Sequence, residues 1–429
     1  MKADYFTFFV AEPVRRYAGS YLKYTKDKHE VKNLNLNPET EPKVIKIKKP
    51  NSLLNVLMFL VLVAAISIMA FAAYLKNSGY DFKSLSVKDG IDFINNKNRK
   101  AANTPSAEIA FSQDGSVDFK YYRGYTVILS QDGIKWYDKN GELLQEKPLT
   151  LTRPVLRISG KYMAVVDISG RDIYFYRDKT QLWARKLDNQ IINADLSDDG
   201  DCAVVTQSKE YKAIVQVIDV NGADKYTKRC AEDIVLGAKS IHNGQDVLIN
   251  KVLTDSVKTG TQFEFNNIYD KNPFAAINVT DGLLPIVMSQ GENEIAVGQN
   301  LVLFMDGEGK EVWRKTADSI FCVAPDGGRY IILAGKFTDS AGTVKQQVVA
   351  LNSKGEVVYS FDQPENVSGM HLYGDRLALR TQRSVYLYTL KGKKLGQYTS
   401  RNEIKDAYLI SSNEVLVISG GNISTVEIN

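Results

Sequence analysis

The sequence predicts an all-β protein, an eight-bladed β-propeller carrying one N-terminal transmembrane helix, and three observations support that expectation. Eight short apolar runs recur about every 36 to 48 residues, close to the ~40–45 residues of a four-stranded propeller blade. Asp-Gly, Asn-Gly and Gly-Lys turn signals separate the runs, and no long amphipathic helix interrupts them. A single stretch of 23 uncharged residues, Leu53 to Leu75, stands apart from the repeats.

That stretch reads as a membrane span. A helix rising about 1.5 Å per residue makes it long enough for a hydrocarbon core of roughly 30 Å. A secretory signal would have a shorter apolar core, near the N-terminus and followed by small residues. Here 52 residues come first, so an uncleaved anchor in contact with the lipid bilayer is expected. Residues 1–50 hold 11 Lys/Arg against 6 Asp/Glu, whereas the part beyond Lys76 holds 42 against 44. A tail that basic is hard to translocate, while a long C-terminal domain crosses largely regardless of its charge. The expected topology is therefore single-pass in the plasma membrane, with residues 1–52 cytoplasmic and the rest extracytoplasmic.

Within the tail, Tyr17, Tyr21 and Tyr24 fall at helical spacing beside Arg15, Arg16 and Lys23. A short amphipathic helix on anionic lipid and a solvated tail both stay open. Residues 76–106 form the expected stalk, with Ser86 as the cap of a short helix and a polar spacer after it.

The propeller is expected over 107–429, with seven blades as the alternative count. Its eight apolar runs are 125–129, 162–166, 202–206, 247–250, 294–297, 330–333, 376–379 and 414–418. The recurring unit closes on Asp or Asn, a Gly two or three residues later and an apolar or aromatic pair, with looser copies among the repeats. Trp136 to Leu144, Phe304 to Trp313 and Ala350 to Tyr359 show this best. A lone blade leaves its apolar faces bare, and packing blades radially covers them. The last unit lacks a fourth strand, whereas Glu108-Ile109-Ala110-Phe111 has no blade of its own. The first segment is therefore expected to complete the last blade and latch the ring.

The Asp-x-x-Gly-x-x-x-Trp style of blade ending, seen in Phe304 to Trp313 and more loosely in Tyr176 to Trp183, resembles the PQQ-like (quinoprotein-type) propeller repeat. That resemblance implies an aromatic residue docked on the neighbouring blade. The repeats are also WD40-like in length. The whole layout is similar to an uncharacterised family of membrane-anchored propeller proteins of Gram-positive bacteria, which implies no activity. In blade count it resembles the eight-bladed lipoprotein scaffold of the outer-membrane assembly machine, although this chain has an apolar span where that scaffold has a lipid-modified Cys.

Little in the sequence points to catalysis. The three histidines are His29, His242 and His371, and no nucleophile motif accompanies them. Each is expected on an exposed loop or blade edge. Neither Asp198-Asp199-Gly200-Asp201 nor Asp138-Lys139-Asn140-Gly141-Glu142 completes a calcium loop, and hairpin turns account for both. Phosphate-binding glycine loops are missing, and the near-neutral balance of the ring argues against nucleic acid. Cys202, Cys230 and Cys322 are expected as small buried hydrophobes, with a Cys202–Cys230 bridge as the alternative. No catalytic, cofactor-binding or metal-binding residue is expected, and no cofactor.

The longest apparent insertion, residues 253–276, carries Phe263, Phe265, Tyr269 and Phe274. Aromatic side chains on a long loop suit partner binding. Folding back onto the blade edge is the other reading. The expected function is a non-enzymatic, membrane-tethered scaffold for a protein or cell-envelope ligand. A propeller enzyme with a central-channel site, of quinone-dependent dehydrogenase, hydrolase or lyase type, is the alternative, and a transmembrane sensor is the third reading.

Overall fold

The computed structural model describes residues 59, 61–63, 65–66, 105–112, 116–253, 259–339 and 341–428. Contacts divide the chain into two units, Met1–Ile68 and Met69–Asn429. In the first unit the described residues are helical, and Phe59, Val61, Leu62, Val63 and Ile66 are exposed. Among the described residues no helix is long and apolar enough to cross a membrane. The tail, most of the 53–75 run and the stalk up to residue 104 lie outside the described residues.

The second unit consists of eight four-stranded antiparallel sheets. Seven of them are formed by four consecutive strands, running from the inner edge of the ring to its rim. Eight blades, not seven, is the observed count. The second strand of each blade lies mid-sheet with both faces covered, so it is apolar at most positions. Tyr162–Asp167 and Cys202–Thr206 are buried throughout. The eight apolar runs are these second strands. Outer strands such as Leu143–Pro148 and Thr180–Lys186 alternate between exposed and partly buried residues, as expected of a half-covered rim.

The eighth blade is built from both ends of the domain. Ile404–Leu409, Glu414–Ser419 and Asn422–Glu427 supply three strands, and Pro105–Ala110 adds the outermost. In that pairing Ile109 faces Ile423, and the Phe111 amide donates to the Gly421 carbonyl at 2.9 Å. The latch expected from Glu108 to Phe111 is therefore present. It begins at Pro105, inside the stretch expected to be stalk.

The core is distributed as eight wedges between adjacent blades. One joins Tyr162, Val166 and Phe175 of the second blade to Leu196, Val204 and Ile218 of the third. The wedge at the closure brings Ile109, Ile418 and Ile423 against Phe119 and Ile128 of the first blade. Each blade thus contributes to two wedges, and none has a complete core of its own.

Two junctions are keyed by tryptophan. Trp183, on the outer strand of the second blade, stacks on Phe175 at 4.7 Å with planes 3° apart. Its Nε1 donates to the Val220 carbonyl of the third blade at 3.1 Å. Trp313 repeats the arrangement, stacking on Phe304 at 5.2 Å and donating to the Ser353 carbonyl at 3.0 Å. The receiving turns need glycine on two counts. Gly222 and Gly355 have φ of +85° and +78°, and an added Cβ would lie 3.0 and 2.9 Å from the indole rings. Gly355→Ala is expected to destabilise the ring by about 1–3 kcal/mol through the left-handed backbone and the clash together. The check is a lower urea midpoint at unchanged slope, with Lys354→Ala, in the same turn but exposed, near zero.

Candidate functional site

Strand direction alternates within every blade, so the turns after first and third strands all lie on one face of the ring. On that face a cleft of about 430 Å³ opens at the channel mouth, lined by four consecutive blades and reaching Pro325 of a fifth. Ser159 belongs to the second blade, Asp195 and Asp198 to the third, Lys239 and His242 to the fourth, and Glu292 and Glu294 to the fifth.

Glu294 is the second residue of the strand Asn293–Val297 and is only 2% exposed. Its described hydrogen-bond donor is the Ser289 hydroxyl, 2.8 Å from Oε1 and 3.1 Å from Oε2. Burial pushes the Glu294 carboxyl up to about 7, further than Lys239 and the Ser289 bond draw it down, with Asp195 adding to the rise. Lys239 bonds to Asp195 Oδ2 at 3.0 Å, tying the fourth blade to the third. Burial works to lower the Lys239 ammonium, but Asp195 and Glu294 outweigh it and raise its pKa. The wall of the cleft also holds a strained turn. His242, Asn243 and Gly244 have successive φ of 51°, 54° and 77°, and His242 Nδ1 lies 2.7 Å from Asp246.

The raised carboxyl fixes the sign of a pH effect. Unfolded, Glu294 ionises near 4.5, and in the ring near 7, so its stability contribution is fully present below 4.5 and is lost as pH rises to about 7. Glu294→Gln is therefore expected to stabilise the ring by about 3 kcal/mol at pH 8 and to change little at pH 4. Urea denaturation of both forms at the two pH values checks it.

The four aromatic residues expected to bind a partner are not together on a loop. Residues 253–276 contain the end of one strand, the whole of Gly260–Asn267 and the start of Pro273–Val279. Phe263 and Phe265 have no exposed surface and pack in the wedge between the fourth and fifth blades. The insertion reading is corrected accordingly, since a buried ring has no surface to offer. Tyr269, at the turn after the third strand, is 86% exposed, and Phe274, at 48%, lies 6.0 Å from Phe265. Tyr269 therefore shares a face with the cleft.

Cys202 and Cys230 are free and buried in the third blade, and Cys322 is partly buried. Burial pushes the Cys202 and Cys322 thiols up to about 12. His371 is at a blade edge, partly buried, not on an exposed loop. It sits on the inner strand Gly369–Tyr373, and its Nδ1 accepts the Leu409 amide at 3.0 Å. The Asp138 and Asp306 turns use their carboxylates on backbone amides two and four residues on. Among the described residues no group of three metal-ligating side chains is gathered.

Sequence reading missed Glu294, Lys239, Asp195 and Ser289. The available signal was weak. Glu294, Arg376 and Glu414 each open an apolar run with a charge, but of these only Glu294 is buried.

Eight wedge-sharing blades closed by an N-terminal strand define a β-propeller. The chain belongs to a family of unknown function, DUF5711, which matches residues 95–428. No curated protein matches it. Solved structures of similar fold include BamB from Moraxella catarrhalis, 14% identical at a TM-score of 0.50, covering 76% of this chain and 97% of that one. Sqt1 of Saccharomyces cerevisiae is 9% identical at a TM-score of 0.57, covering 76% and 99%. The C-terminal WD40 domain of Sif2 is 12% identical at 0.53, covering 78% and 98%. At such identities the likeness is one of fold.

Proposed function

We propose that the chain is a membrane-anchored, extracytoplasmic scaffold that binds a protein partner on the face carrying the cleft and does not catalyse a reaction. The observation that carries this reading is the convergence of an open polar cleft and the bare ring of Tyr269 on one face. Exposed aromatic anchors beside a concave polar mouth suit protein recognition. The anchor is supported by the uncharged run from Leu53 to Leu75. Within it, helical backbone presents Phe59, Val61 and Leu62 outward, and lipid is the phase that would cover such side chains.

The test is photo-crosslinking in intact cells, with a photoreactive residue at position 269 of the full-length chain or at position 209. Lys209 follows a second strand and so lies on the opposite face. One protein adduct formed from position 269 and missing from 209 is expected. Equal capture from both faces, or from neither, would contradict the reading.

One observation favours a second reading, a channel-mouth enzyme of hydrolase or lyase type. A carboxyl titrating near neutrality has the pKa of a general acid or base. Turnover of cell-envelope material by the purified chain, lost in Glu294→Gln, would establish it.

A further inference from the structure

We propose that the mouth cleft seats an organic cation, the alkylammonium or guanidinium group of a partner's basic side chain, which donates to the Glu294 carboxylate. The proposal rests on the scaffold reading only for the source of that cation.

The first observation is an unfilled acceptor. A hydroxyl carries one proton, so Ser289 satisfies only one of the two oxygens it approaches. The other has no donor among the described residues, although Glu294 is 2% exposed and lines the cleft. A buried carboxylate oxygen without a donor is costly, and a ligand N–H removes that cost.

The second observation is the balance of charge around it. From the third blade, Asp195 is matched by Lys239 of the fourth, and Asp198 accepts from the Ser159 hydroxyl of the second at 2.5 Å. His242, also of the fourth, faces the cleft with Nδ1 held by Asp246. This leaves Asp198, Asp199, Glu292 and Glu294 facing the space without a cation bonded to them in any described contact. The surplus is negative, which selects a positive ligand. A metal ion is the poorer occupant, because no three ligating side chains come together among the described residues. A volume of about 430 Å³ takes one long basic side chain with its flanking backbone.

The sign of the pH dependence follows from Glu294. A cation binds its ionised form, so below pH 7 a proton must first leave, and affinity falls as pH falls. His242 also lines the cleft, and its part is separated from that of Glu294 by mutating each alone.

The experiment is isothermal titration of the full-length chain in detergent micelles with the blocked amino acids N-acetyl-lysine methylamide and N-acetyl-arginine methylamide. The citrulline analogue serves as the uncharged match in shape. Saturable binding of both cations is expected, about tenfold tighter at pH 8 than at pH 6, with citrulline at least about tenfold weaker. Glu294→Gln should bind the cations about tenfold more weakly and with a flat pH profile, whereas His242→Gln should keep the slope. Equal affinity for citrulline and arginine probes, no saturation by either cation at pH 8, or a Glu294→Gln protein that binds like the wild type would overturn the proposal. If Glu294→Gln fails to fold, the citrulline comparison and the wild-type slope still decide. Because the seat is read on purified protein and the scaffold by crosslinking in cells, either can fail without the other.

Discussion

Replacing Glu264 by alanine is expected to destabilise the ring by about 3–5 kcal/mol, the usual result of removing one partner from a buried ion network. Glu264, on the third strand of the fourth blade, is 5% exposed and accepts from Lys251 Nζ at 2.5 Å and from Lys228 of the third blade. Lys228 also donates to Asn266 at 2.9 Å, and Lys251 reaches Asp233 at 3.2 Å. Burial lowers the Lys228 pKa, and repulsion from Lys251 adds to it, so the carboxylate holds two ammonium groups that strain against each other. Without Glu264 the buried Lys251 and the partly buried Lys228 lose their shared carboxylate, and Asp233 is the remaining described anion bonded to Lys251. A triple replacement by Leu at 264 and Met at 228 and 251 is expected to recover most of the loss, because apolar residues of similar volume often substitute for such networks. Denaturant unfolding of wild type, single and triple variants reads both effects. A single variant within about 0.5 kcal/mol of wild type would mean that the three groups are solvated, not coupled.

The second large effect is expected at the latch. Ile109→Asp removes a side chain that is 6% exposed in the closing wedge and puts a carboxylate against Ile418 and Ile423. Losing the aliphatic group alone costs about 2–5 kcal/mol, and the unpaired charge adds to it. Because each wedge belongs to two blades, damage should start where the ring is sewn shut. Hydrogen exchange should show lost protection in Asn422–Glu427, whose outer neighbour is the closing strand, before any change in the second blade. Glu108→Lys, one residue away but exposed, is the control. Uniform loss of protection in all blades would mean that the ring opens only as one unit.

The second strands were legible because both of their faces are covered, which forces apolar residues at successive positions and makes each run stand out. Inner strands carry no such signature. Ile286–Gln290 mixes an exposed Ile286, a Ser289 that serves Glu294 and a buried Gln290. Its role is set by the channel and not by a periodic pattern. The closing strand was legible by elimination, as the one apolar segment without a blade. The 253–276 error has a related cause. In Phe263-Glu264-Phe265-Asn266 the aromatic residues enter one wedge while Glu264 and Asn266 meet Lys228 in another. A strand buried on both sides, with ion-paired polar residues on one of them, imitates an amphipathic loop. The cleft was not legible for a further reason, since its residues come from separate blades that only the closed ring brings together.

The proposed arrangement, a tethered ring held outside the membrane, is open to a labelling experiment on intact cells. Cys202 and Cys230 are buried, so Cys322→Ala leaves a background without an accessible native thiol. Into it a single cysteine is placed at Tyr269, 86% exposed, or at Lys23 in the basic tail. A membrane-impermeant maleimide added to intact cells is predicted to label position 269 at once and position 23 only after the membrane is breached. Labelling of position 23 in intact cells, with position 269 protected until lysis, would contradict the account.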